Sequence, residues 1–348
     1  HAAGHRRRAA DVGAGAVVTP PRRQVLGALA AGLGAAALGG CATADGPGAA
    51  SVPAGPEPLL SPWRTLPGGF IAPPALLPGQ PARPGTGMFV KWLAPSAVAL
   101  RGFDLLVLDA GAGRLWRADT LLNTVSGIAG APTHPGVALA LGPDGSAWVL
   151  DPQARQVLRF GRDARLLQSF RIGVVLPSPV ALALADGGLT VLLGDGMGAQ
   201  WLAQRNGSTL APPVLPADAD GRRISGVDGL AVAPASGSGP ERLWVLDRLA
   251  GALHLVHRDG LVLQTLGRGD LLQPSALAVD GFGRVFVVDR DGQALVCLQA
   301  GMPARHLALP ALGVRQIGAL AVDDRTLALA DRLQGQVVLH RLGRPDPS

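Results

Sequence analysis

The chain has 348 residues, enough to bury a sizeable core, and is nearly half apolar with only 4% aromatic residues and no tyrosine. Its net charge of +6 is concentrated at the start. Residues 1–40 carry +4, through Arg6, Arg7, Arg8, Arg22 and Arg23 against Asp11, and no later basic stretch is interleaved with aromatics, which argues against nucleic-acid binding. Two cysteines, Cys41 and Cys297, exclude a disulfide framework, and 49 glycines with 30 prolines favour turns over long helices.

The first 40 residues read as an export signal. Polar, arginine-rich residues lead into PRRQVLGALAAGLGAAALGGC, Pro21 to Cys41, an apolar run too short to span a bilayer. The LGGC ending resembles the bacterial lipobox, which implies acylation at Cys41 and removal of the leader there. The pair Arg22 and Arg23 resembles a twin-arginine signal, without the Ser that commonly precedes it. Acyl chains on Cys41 would hold the protein to a membrane without crossing it. Ala42 in place of Asp after the cysteine suggests the outer membrane, by resemblance to lipoproteins of enteric-type bacteria. Residues 41–87 are rich in Pro, Gly and Ala and read as a tether, with Trp63, Phe70 and Ile71 as apolar exceptions that would pack on the folded part.

From Met88 to Ser348 one unit repeats. An apolar run ends in Asp, a turn follows, and the chain becomes apolar again: LLVLDAGAGRLW, AWVLDPQARQVL, VLLGDGMGAQWL, LWVLDRLAGALHL, VFVVDRDGQALV and LALADRLQGQVV. The marker residues are Asp109, Asp151, Asp195, Asp247, Asp289 and Asp331, spaced by 42, 44, 52, 42 and 42 residues, the range of propeller repeats. Ahead of each stands a run of small apolar residues, such as SAVAL at Ser96 or SALAV at Ser275, and after each of the first five come two further short strands. Four strands per repeat with Gly, Pro and Asp turns make a blade. The expected fold is therefore an all-β, six-bladed propeller of antiparallel four-stranded blades. The sixth repeat lacks a fourth strand, and MFVKWL, Met88 to Leu93, is expected to supply it and so remove an exposed edge.

The strand-Asp-turn-strand unit resembles the NHL repeat over residues 92–342. That family commonly places Asn and then Arg after the Asp, and only Arg114 keeps this arginine. The resemblance implies a six-bladed propeller.

Chemistry is sparse in the sequence. The six Asp could ring a cation, but their place at strand ends favours hydrogen bonds to the backbone N–H groups of their own turns. His254 and His257, three apart on a strand, face opposite sides. His134, His306 and His340 are read as surface histidines that could reach the channel mouth, and Cys297 as a buried structural thiol. The GDGMG stretch at Gly194 is a turn. No metalloprotease, CxxC, nucleophile-elbow or phosphate-loop pattern occurs. The gluconolactonases, a second propeller family, hold channel calcium with Glu, Asn and Asp. Here Asn123, Asn206 and Glu241 are the only Asn and Glu after residue 87, which argues against that site. The leading expectation is a monomeric, membrane-anchored, non-enzymatic binding scaffold with a protein or glycan partner in the cell envelope and no cofactor or metal. The alternatives are a propeller hydrolase or lyase with a channel metal, and a small-molecule sensor.

Overall fold

The computed structural model describes residues 58–71, 87–173, 176–198, 201–205, 208–210, 217, 220–234 and 242–344. They form an all-β, six-bladed propeller. Blade 1 runs from Pro95 to Ile128, blade 2 from Ala138 to Arg171, blade 3 from Pro179 to Leu210, blade 4 from Gly229 to Leu266 and blade 5 from Ala276 to Leu307. Each of these contributes four consecutive antiparallel strands. Blade 6 combines three C-terminal strands, Ile317–Val322, Thr326–Asp331 and Gln336–Leu342, with one from the other end of the chain.

The second strand of every blade is the apolar run before the marker Asp. Each is buried along almost its whole length, as in Ala147–Asp151 and Val285–Asp289. A strand covered on one face alternates apolar with polar residues, whereas one covered on both faces reads as a continuous apolar run. The cover comes from neighbouring blades. Six apolar clusters fill the six junctions, such as the one joining Val98, Leu105, Val107 and Trp116 of blade 1 to Ala328, Ala330, Val337 and Leu339 of blade 6. The first strands lie side by side around the ring, blade 6 beside blade 1. Their inner edges carry Pro95 and Pro179, which lack an N–H and fit an edge position.

The ring closes with a different strand from the one expected. Leu60–Leu66, not Met88–Leu93, pairs antiparallel with Gln336–Leu342, from Leu60 opposite Leu342 to Leu66 opposite Val337. Residues 58–71, read as tether, therefore belong to the propeller. Trp63 and Ile71 pack on the cluster between blades 6 and 1. Met88–Lys91 instead pairs with Gly68–Ile71, which lies parallel to the outermost strand of blade 1, so that sheet has six strands. Both segments reach the apolar junction, through buried Leu66 and buried Trp92, but Leu60–Leu66 takes the open edge of blade 6 while Met88–Lys91 lies outside blade 1 with Met88 and Phe89 exposed.

Two rims result. At one, which we call the aspartate rim, second strands end and first strands begin. At the opposite rim, first strands end and second strands begin. A glycine at the aspartate rim shows how tightly the connections fit. Gly335 has φ of 65°, and a Cβ there would lie 2.5 Å from the Trp92 carbonyl oxygen.

Two consequences can be measured. A chain beginning at Pro58 is expected to keep the unfolding temperature of the full chain. One beginning at Gly87 is expected to aggregate or lose cooperative unfolding, because the edge of Gln336–Leu342 is bare; equal melting curves would contradict this closure. The substitution Gly335→Ala is expected to cost about 1–3 kcal/mol in a denaturant titration, from the left-handed backbone and the carbonyl contact.

Candidate binding face

The six marker carboxylates are deeply buried: five are 0% exposed and Asp151 is 6% exposed. Most span two places. One is their own turn, where Ala112, Ala154, Met197, Ala250 and Leu333 donate backbone N–H groups to Asp109, Asp151, Asp195, Asp247 and Asp331. The other is the connection entering the same blade. Leu93 and Ala94 donate to Asp109 at 2.9 and 2.8 Å, Ser178 to Asp195 at 3.1 Å and Ser225 to Asp247 at 2.7 Å. Gln273 donates to Asp289 at 2.6 Å and Arg315 to Asp331 at 2.7 Å. In blade 2 a side chain takes this part, with His134 Nε2 2.9 Å from Asp151. The carboxylates thus latch successive blades and do not converge. Among the described residues no group of three His, Cys, Asp or Glu is placed to hold a metal ion.

The residue after each marker lies beside the entry to the first strand, at the mouth of the channel. A Cβ on Gly196 would sit 3.0 Å from Val180, and one on Gly318 would sit 3.4 Å from the Arg332 Cβ and 3.7 Å from the Ser96 Cα. In blades 1 to 3 this residue is Ala110, Pro152 or Gly196; in blades 4 to 6 it is Arg248, Arg290 or Arg332, all exposed. Among the described residues neither Arg248 nor Arg332 forms an ion pair, although Arg248 acts on the nearby Asp228 carboxyl, and Arg290 Nε is 4.0 Å from Asp289, which accepts the N–H groups of Leu272 and Gln273. Next to them, Leu249 is 82% exposed and Leu333 66%. Leu333 and Arg315 also line a cavity of about 660 Å³ with Leu309, Pro310 and Val314. At the position after the marker, blades 1 to 3 are therefore small and uncharged, and blades 4 to 6 present guanidinium groups, beside a leucine in blades 4 and 6 and beside the exposed Asp291 in blade 5. Asp228 lies between blades 3 and 4, accepts the Arg248 N–H at 3.0 Å, and has its carboxyl pushed up by burial and by neighbouring Asp247 and Asp195.

The opposite rim differs in charge arrangement. There Arg159 bonds Asp144 at 2.6 Å, Arg258 grips Asp186 at 2.9 and 3.1 Å across blades 4 and 3, and Arg284 is buried against Asp280. Ser146 and Arg159 pull the Asp144 carboxyl down to about 2.

Other residues named from the sequence are scattered. His254 is buried on blade 4 with Nδ1 3.1 Å from Thr265 Oγ1, while His257 meets Asp259 at 2.7 Å. His340 is no surface residue: it is 1% exposed, with Nε2 3.1 Å from the Leu312 carbonyl oxygen, because its strand is covered on both faces. His306 is exposed. Cys297 is buried, and burial pushes its thiol up to about 11. Asn123 lies in a turn with φ of 55°. Cys41, Arg22, Arg23, Asn206 and Glu241 fall outside the described residues. The arginine arc escapes a motif search, because each arginine is a single turn residue and stands out only when the repeats are aligned on their aspartates.

No protein-family model matches the chain, and no curated protein matches it in sequence. Solved structures do. A protein of unknown function from Bacteroides thetaiotaomicron aligns with TM-score 0.53 and 13% identity over 72% of this chain and 70% of that one. Virginiamycin B lyase from Staphylococcus aureus aligns with TM-score 0.50 and 10% identity over 72% and 95%. A streptogramin B lyase structure aligns with TM-score 0.51 and 11% identity over 73% and 84%. At these identities the likeness is one of fold.

Removing a latch should cost stability. Asp109→Ala leaves three backbone donors without their acceptor, and at about 1–3 kcal/mol for each buried unmet group a loss of roughly 3 kcal/mol is expected in urea unfolding. Burial lowers the proton affinity of His254 and His340 in the folded chain below the unfolded value near 6.5. The unfolded state then binds more protons, so stability is complete above pH 6.5 and falls as the pH drops below it, by at most about 1.4 kcal/mol per pH unit for each histidine. Comparing urea midpoints at pH 7 and 5.5 with those of His254→Gln and His340→Gln checks this, since each variant should flatten the slope.

Proposed function

We propose that this chain is an exported lipoprotein whose NHL-like propeller is a non-enzymatic binding scaffold in the cell envelope. In this reading residues 1–40 direct export through Arg22 and Arg23, Cys41 carries the lipid, and the following residues link the lipid to the propeller. The anchoring membrane is the outer one, and the propeller acts as a monomer. The partner is a protein or glycan segment that offers carboxylates. No cofactor enters this reading.

The observation that supports it is the arc of Arg248, Arg290 and Arg332 at one equivalent position in three successive blades. Exposed guanidinium groups recognise carboxylates through paired N–H donors, and exposed leucines beside them add apolar contact. Tyr, Trp and Arg dominate binding energy at many interfaces, and here arginine is the available type. The six marker carboxylates are buried and already hold backbone N–H groups, so they compete little for the arginines; the acids left near the arc are the exposed Asp291 beside Arg290 and the half-buried Asp228 beside Arg248.

Two measurements bear on the proposal. Labelling with a palmitate analogue should mark the protein and vanish in Cys41→Ala. A photoreactive amino acid at Leu249 or Leu333 should cross-link one reproducible envelope partner, while one at Leu166 on the outer edge of blade 2 should not. The triple variant Arg248→Glu, Arg290→Glu, Arg332→Glu should remove that cross-link with little change in unfolding temperature. Cross-linking that is equal at all three positions, or unmoved by the triple change, would rule the aspartate rim out as the binding face.

A further inference from the structure

The opposite rim holds two adjoining cavities, one on blade 1 reaching Arg162 of blade 2 and one at the junction of blades 1 and 6. One, of about 590 Å³, is lined by Arg101, Phe103, Asp104, Arg117, Ser126 and Arg162 among others. The second, of about 550 Å³, shares Arg101 and Phe103 and continues to Val322 and Arg325 of blade 6 and Val279 of blade 5, at the ends of first strands. Phe103 stands between them, 48% exposed. Behind it lies Trp63 of the closing strand, with ring centroids 6.4 Å apart, and the Arg341 guanidinium sits 3.7 Å from the Trp63 centroid. An aromatic surface is thus held in place and left open.

The charges of the larger cavity are unbalanced once their partners are counted. Asp119 is occupied by the N–H groups of Leu121 and Leu122, both at 2.8 Å. Asp104 faces Arg117 at 3.3 Å and Arg162 at 4.0 Å. Burial pushes the Asp104 carboxyl up, while Arg117 and Arg162 pull it down. At the seam between the cavities Asp323 is occupied by the N–H groups of Gly102, Arg325 and Thr326. Among the described residues Arg101 forms no ion pair and Arg117 Nε is buried with no acceptor, while Arg162 is 73% exposed. The exposed Asp324 belongs to the second cavity, on the side of blade 5 near Gly281. The larger cavity therefore offers the Ser126 hydroxyl, a phenyl face and three guanidinium groups against the two carboxylates of Asp104 and Asp119.

We infer that this cavity binds a small organic anion with a planar ring, its carboxylate or phosphate held by Arg101 and Arg162 and its ring resting on Phe103. The volume lies within the range of small-molecule sites. Arginine suits both head groups, because its fork of donors matches either one. The ring contact adds specificity, since a bare inorganic anion leaves Phe103 uncovered. This site lies on the rim opposite the arginine arc and does not depend on the scaffold reading.

Isothermal titration of the full chain with benzoate, phenyl phosphate, inorganic phosphate and benzyl alcohol tests it. One or both aromatic anions should bind at least tenfold more tightly than inorganic phosphate, and benzyl alcohol should bind more weakly still. The better of benzoate and phenyl phosphate identifies the head group. Arg101→Glu should weaken the aromatic anion at least tenfold, and Phe103→Ala should reduce phenyl phosphate to the level of inorganic phosphate. Both residues are exposed, so both variants should fold, as melting curves will show. Arg248→Glu, on the other rim, should leave this binding unchanged, which separates failure here from failure of the partner-binding face. Absence of binding by both aromatic anions at millimolar concentration, or equal affinity in wild type and Arg101→Glu, would overturn the assignment.

Discussion

Everything in this molecule depends on the fact that no blade can bury itself. A second strand such as Leu105–Leu108 is apolar on both faces, and each face is covered only by a neighbouring blade. The apolar term of folding scales with area removed from water, so each blade gains its stabilisation at two junctions and none alone. An open row of blades would leave two such faces in water. Closing the row into a ring covers them, and the six apolar clusters between blades are the physical content of that closure.

The aspartates solve a second problem created by the first. Once the apolar strands are stacked, the connections entering each blade carry backbone N–H groups into a crowded rim. A carboxylate at the end of the second strand accepts from its own turn and from the incoming connection. One side chain thereby fixes two pieces of irregular backbone that have no ladder to join. This leaves the marker anions buried while the guanidinium groups that follow them in blades 4 to 6 are exposed. The opposite rim spends several of its acids on arginines instead, as where Arg258 of blade 4 holds Asp186 of blade 3.

The legible part of the fold was the part governed by local pattern. Runs such as LLVLD and VFVVD mark buried second strands because covering on two faces removes the alternation that single-faced strands show. The Asp spacing marks the blades because each latch recurs once per unit. The closing strand LSPWRTL carries no such mark. Pro62 and a register shift before Arg64 interrupt its pairing, and its residues are mostly half-buried, so no period emerges. MFVK looked like the missing strand because it stood nearest the first repeat, yet sequence distance says nothing about which edge a strand reaches. His340 was misplaced for a related reason: a histidine near the end of an apolar strand looks peripheral until the partner on its far side is known. The arginine arc and the Phe103 cavity are assembled from residues in different repeats, and a search for contiguous motifs does not meet them.

The pairing of Leu60–Leu66 with Gln336–Leu342 has a kinetic meaning as well. It joins nearly the most distant parts of the described chain, so the loop that must close is almost the whole propeller, and contacts of such separation slow folding. A ribosome releases the N-terminal strand first and its partner last. The early blades can stack as they emerge, but the seam waits for the final strand. Until then, the chain exposes one raw apolar face at each end of the growing stack, and any chaperone or translocation machinery that handles it would meet those two faces.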